Sequence, residues 1–158
     1  MEFLSAEVER YGLWLEAIGS IIRAKRVASQ PVGLLGYSLG GYLALTAAMA
    51  WREVAAVAVC YGGLPTPFLG LAAGLPPTLL LHGGADQVVP VTETTAVTDL
   101  LRSHRIAHEV HIYPQAGHGF QGADAEDAIR RIVEFFRKHL ANGTPRAGPS
   151  TGANLRRN

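Results

Sequence analysis

The sequence predicts an α/β domain with about four parallel strands flanked by helices. Three observations carry that expectation. Strand-like runs recur at "PVGLLGY", "VAAVAVCY", "TLLLHG" and "HEVHIY". Segments with apolar residues at helical spacing alternate with them. That alternation is the mark of a parallel sheet covered on both faces. The chain is also 158 residues long, 48% hydrophobic and without internal repeat, which suits one domain with a sizeable core.

Each element follows from local pattern. Leu4, Val8, Tyr11, Leu15, Ile18 and Ile22 recur three or four residues apart, the stripe of an amphipathic helix. Gly12 and Gly19 weaken that helix by about 1 kcal/mol each relative to alanine. "VGLLGY" at 32–37 is short, uncharged and introduced by proline, as expected of a strand buried on both faces. "GGYLALTAAMA" follows as a buried helix, and "VAAVAVCY" at 54–61 as a second strand. Residues 62–77 read as a loop punctuated by glycine and proline, though an unusually apolar one. "TLLLHG" at 78–83 is the third strand. Pro90 then starts a helix with Val97, Leu100 and Leu101 on one face. "HEVHIY" at 108–113 is the fourth strand. The last helix, 123–140, places Ile129, Ile132, Val133, Phe136 and Leu140 together, with Asp124 or a neighbour as its cap. The domain is expected over residues 1–140. Residues 141–158, rich in glycine, proline and small polar residues, are expected to be a disordered tail.

Composition narrows the function. The chain has 14 basic and 13 acidic residues, and Arg146, Arg156 and Arg157 all fall in the tail, so the body is slightly acidic. It lacks the basic stripe that nucleic acid demands, and a small molecule is the expected ligand. The single cysteine, Cys60, lies in an apolar strand and is expected simply to pack. The start "MEFLSAEVER" has no basic, apolar leader, and no apolar run approaches membrane-spanning length. No membrane partner and a cytoplasmic location are therefore expected.

The stretch "GYSLGG" carries the chemistry. Ser38 sits where a buried strand turns abruptly into a helix. Side chains two positions either side of such a corner would collide, so glycine stands at 36 and 40. The corner holds Ser38 clear of the sheet at the positive end of a helix, with the Leu39 N–H placed to stabilise an oxyanion. Serine is a weak nucleophile without a base, and the base needs an orienting carboxylate. Asp86 follows the third strand in "HGGADQVVP" and His118 follows the fourth in "YPQAGHGF". Both therefore belong at the same sheet edge as Ser38.

The other histidines compete less well. His82 ends a strand before two glycines and is expected to brace that turn. His108 and His111 are three apart in a strand, so they face opposite sides and do not chelate one metal. His104 and His139 read as solvated helix positions. No metal site and no cofactor motif is found in the sequence.

"GLLGYSLGGYLAL", "TLLLHGGADQVVP" and "YPQAGHGF" together resemble the dienelactone hydrolase family of the α/β-hydrolase fold. The resemblance implies Ser38 as nucleophile, Asp86 as acid and His118 as base. The founding members carry cysteine at the nucleophile position; Ser38 here points instead to a general ester hydrolase. Members normally carry about 80 to 100 further residues upstream, with the first strands and part of the oxyanion hole. The chain is thus expected to be a truncated α/β-hydrolase whose 32–37 strand forms an open sheet edge. Such an edge favours a homodimer or higher oligomer. The expected function is cleavage of small carboxylic esters through a Ser-Asp-His triad and an acyl-enzyme. The alternative is a non-catalytic or barely active remnant serving as an interaction module. A third reading, a peptidase related to prolyl oligopeptidases, lacks the propeller domain usual there. Acyl-chain length and physiological substrate are not written in the sequence.

Overall fold

The computed structural model describes residues 2–26 and 31–141, with the side chains of residues 10–24 in the first helix. Leu4, Val8 and the tail from residue 142 lie outside the described side chains or residues. The order is α1 (Glu2–Arg26), β1 (Val32–Tyr37), α2 (Leu39–Ala50), β2 (Val54–Cys60), a 3-10 segment (Thr66–Gly74), β3 (Thr78–Gly83), α3 (Thr92–Ser103), β4 (His108–Tyr113) and α4 (Gly122–Leu140). The four strands form one sheet in the order β1-β2-β3-β4, and every pair is parallel.

Alternation along the central strands builds two cores. Val57, Val59 and Leu80 face α1, α2, α3 and the 3-10 segment, meeting Leu15, Ile22, Leu45, Trp51, Val97 and Leu101. Ala56, Ala58, Cys60, Leu79 and Leu81 face the other way and meet Ala128, Ile132 and Phe135 of α4. Every residue of β2 and β3 is buried, which explains their uninterrupted apolar runs. Burial pushes the Cys60 thiol up to about 12, so it packs as a neutral group.

Tertiary context changed several local expectations. Leu15 and Ile22 of the α1 stripe are buried, and Tyr11 and Ile18 pack beside them. Gly19 is more than a weak point in that helix. A Cβ there would stand 2.2 Å from the Trp51 ring, so glycine lets α1 close on the end of α2. The expected loop at 62–77 contains nine residues of 3-10 helix, which accounts for its apolar character through contacts of Leu64, Phe68, Leu69, Ala72 and Leu75 with the core. Pro90 lies one residue before the α3 N-cap, Val91, and its carbonyl accepts from the Glu93 N–H. Helix α4 is capped by Gln121 without a side-chain bond, and Asp124 lies inside its first turn. His139, expected in solvent, is half-buried with its ring against Phe135.

The phase of α4 also differs. Ala128, Ile132 and Phe135 form its buried row, with Phe136 and Leu140 partly buried. Ile129 and Val133 are 60% and 40% exposed. Both rows satisfy helical spacing, and only docking on β2 and β3 chooses between them. Among the described residues strand β1 pairs on one side only, the open sheet edge that the family resemblance implied, and it is not buried on both faces as its uncharged run suggested. Its Leu35 and Tyr37 are 42% and 47% exposed. The carboxyl ends of β1, β3 and β4 lead directly into the site.

Candidate active site

The corner after β1 is strained. Ser38 adopts φ 52° and ψ −124°, outside the conformations most side chains accept. Tight glycine packing makes the corner possible. A Cβ on Gly36 would lie 2.1 Å from the Gly40 carbonyl oxygen, and one on Gly62 would press on Gly41 and the Ser38 carbonyl. At position 40 itself a Cβ would meet nothing within 4 Å, so the expected clash there is carried by Gly36 instead. The Ser38 N–H is fixed to the Cys60 carbonyl at 3.0 Å, tying the corner to β2. Leu39 opens α2 as its first residue, where a backbone N–H has no partner within the helix.

The loops after β3 and β4 are joined to each other. Gly84 N–H donates to the Tyr113 carbonyl at 2.8 Å, and Ala85 N–H to the Ala116 carbonyl at 3.0 Å. Gly83 is the contact point, since a Cβ there would lie 2.3 Å from the Ala116 carbonyl oxygen. This junction brings Asp86 and His118 to Ser38. His118 Nδ1–H donates to Asp86 Oδ2 at 2.9 Å, and the Ser38 hydroxyl donates to His118 Nε2 at 2.9 Å. The direction is set by the carboxylate, which only accepts. The structure thus brings together the three residues singled out in the sequence.

Asp86 is held at both oxygens. Its Oδ1 accepts from the Val88 and Val89 N–H groups at 2.8 and 2.9 Å. Burial pushes its carboxyl up, but the bonds from His118, Val89 and Val88 outweigh burial and hold it below the usual range. His82 is fully buried behind it. Its Nε2–H donates to the Val89 carbonyl at 2.9 Å, and its Nδ1 meets Thr94 Oγ1 at 2.7 Å. His82 therefore braces the turn, as its place before two glycines suggested. Among the described residues no cluster of histidine, cysteine or carboxylate side chains is arranged to hold a metal.

An aromatic group borders His118. Tyr61 stands edge-on to the imidazole with centroids 4.8 Å apart, and also meets Phe120 at 5.1 Å and Tyr37 at 5.9 Å. Sequence reasoning missed Tyr61 and Phe120. The available signal was their position, Tyr61 directly after β2 and Phe120 two residues after His118, each beside glycine.

Comparison with known proteins gives a consistent result. The model of the dienelactone hydrolase family matches residues 7–140. A carboxymethylenebutenolidase of Rhodococcus opacus is 32% identical over 73% of this chain and 53% of its own length. The crystal structure of the esterase PE8 superposes with a TM-score of 0.59 at 28% identity, over 68% of this chain and 50% of that one. SOBER1 of Arabidopsis thaliana superposes with a TM-score of 0.69 over 80% of this chain and 62% of that one; at 22% identity it speaks for the fold alone. The chain spans about half the length of the curated relatives it matches. No described helix is long and apolar enough to cross a membrane. The parallel sheet, the sharp serine corner and a family match extending over most of the sequence agree: the chain belongs to the dienelactone hydrolase family.

Proposed function

We propose that the chain is a serine hydrolase that cleaves small carboxylic esters through an acyl-enzyme. One observation carries the reading. Ser38 Oγ is 2.9 Å from His118 Nε2, while Nδ1 of the same ring is anchored on Asp86. Ser38 attacks the ester carbonyl as its proton passes to His118. Asp86 stays ionised and stabilises the imidazolium. The Leu39 N–H faces the oxyanion. Collapse of the tetrahedral intermediate expels the alcohol, which takes the proton back from His118. Water then repeats the sequence, with His118 as base, to release the acid and restore Ser38.

The family match and the similarity to an esterase support hydrolysis of esters in general. The test is a p-nitrophenyl ester series of graded acyl length on purified protein. Turnover of the acetate and butyrate is expected. Absence of turnover across the series would favour the remnant reading instead.

We also propose a homodimer through β1. The Val32–Tyr37 segment carries no charge, lies at the sheet edge and exposes Leu35 and Tyr37. Edges of this kind invite pairing, and a two-fold axis lets two copies meet antiparallel. Light scattering should give twice the chain mass, falling to one chain in Leu35→Lys. A wild-type monomer at micromolar concentration would overturn the arrangement.

A further inference from the structure

Three residues other than glycine have positive φ among those described: Ser38, Tyr61 and Arg105. Two have evident reasons. Ser38 makes the corner between β1 and α2. Arg105 ends α3 in a Schellman arrangement, with Ile106 N–H donating to the Leu101 carbonyl at 2.8 Å and Arg105 N–H to the Arg102 carbonyl at 3.0 Å. Tyr61, at φ 42°, belongs to neither class. It follows β2, where its N–H is fixed to the Leu81 carbonyl at 2.7 Å. The turn delivers Gly62 against the Ser38 corner, where a Cβ would lie 3.0 Å from the Ser38 carbonyl oxygen. Glycine would make that turn without strain, and it occupies the next two positions. A large side chain at 61 is therefore retained against the backbone's preference.

What that side chain touches is the imidazole. His118 sits in a loop with glycine on both sides, and among the described residues its ring is hydrogen-bonded at two points, to Asp86 and Ser38. The edge-on Tyr61 ring, itself backed by Phe120 at an interplanar angle of 81°, closes a third side. We propose that Tyr61 is a positioning residue for His118, its ring holding the imidazole in the orientation that joins Asp86 to Ser38. The proposal rests on the reading of Ser38 and His118 as nucleophile and base. Tyr61 meets its neighbours through its ring, so the hydroxyl is dispensable for this role.

Four variants test it. Tyr61→Phe should keep kcat within about twofold of the wild type. Tyr61→Ala and Tyr61→Leu should lower kcat about 10- to 100-fold with KM little changed, the scale expected when a reacting group is misplaced by a fraction of an ångström to 1 Å. Tyr61→Gly should melt about 2–6 °C above Tyr61→Ala, because it relieves the backbone strain, yet be no more active. A purely structural side chain would move stability and activity together. A second readout does not depend on turnover: in a 15N–1H spectrum the His118 imidazole should show the single Nδ1–H tautomer in the wild type and a broadened or mixed signal in Tyr61→Ala and Tyr61→Leu. If no ester is hydrolysed by any form, this spectrum alone decides the proposal. Unchanged kcat or an unchanged imidazole signal in both truncated variants overturns it, as does wild-type activity in Tyr61→Gly.

Discussion

Ser38→Ala is expected to lower kcat for p-nitrophenyl butyrate by about 10⁴-fold or more, with KM little changed and the fold intact. The substitution deletes one oxygen, the atom whose O–H donates to His118 Nε2. It leaves the strained φ of 52° in place, because alanine keeps the Cβ that serine already carries there. Gly36 and Gly62 still permit the corner, so thermal stability should remain within a degree or two of the wild type. The residual rate would come from substrate binding and the Leu39 N–H. A fluorophosphonate probe should add its mass to the wild-type chain at Ser38 and leave Ser38→Ala unlabelled. Retention of more than a tenth of the activity in the variant would remove Ser38 as the nucleophile and with it the proposed acyl-enzyme.

Why three residues spread over 80 positions of sequence could be named before the structure, while Tyr61 could not, is a matter of which forces are local. A parallel sheet puts the carboxyl ends of all its strands on one edge, so any residue just after a strand is placed in advance. Ser38, Asp86 and His118 each lie just after a strand. The uncharged runs of β2 and β3 likewise reveal burial on both faces, because no charge survives in a segment without a solvated side. Tyr61 also follows a strand, but its importance lies in a positive φ and a ring contact, neither of which changes the residue pattern. Gly19 reads as a helix weakness until Trp51 is seen lying across it. Exposure of Leu35 and Tyr37 depends on β1 being an edge, which the six residues themselves do not show and which only the family resemblance had implied.

The phase of α4 shows the same limit, and it yields a prediction with a large effect. Phe135→Ala should cost about 3–5 kcal/mol, whereas Ile129→Ala should fall within about 0.5 kcal/mol of the wild type. Phe135 is 1% exposed and sits against the β2–β3 face of the sheet, where truncation leaves a cavity that the rigid strands cannot close. Ile129 is 60% exposed; replacing it removes little buried area, and alanine's better helix propensity offsets part of the loss. For a chain of this length the Phe135 cost corresponds to a fall in Tm of about 6–20 °C. Thermal melts of the two variants beside the wild type make the comparison directly, and a urea titration with unchanged slope would show that the native state rather than the unfolded one is affected. Helix α4 carries no residue of the proposed triad, so the activity per folded molecule should survive in both variants below their melting points. Equal destabilisation by the two substitutions, or a larger effect from Ile129→Ala, would rotate the helix to the phase in which Ile129 and Val133 face the sheet. In the observed phase the Phe136 ring lies against β1, where a Cβ on Gly33 would stand 2.7 Å from it.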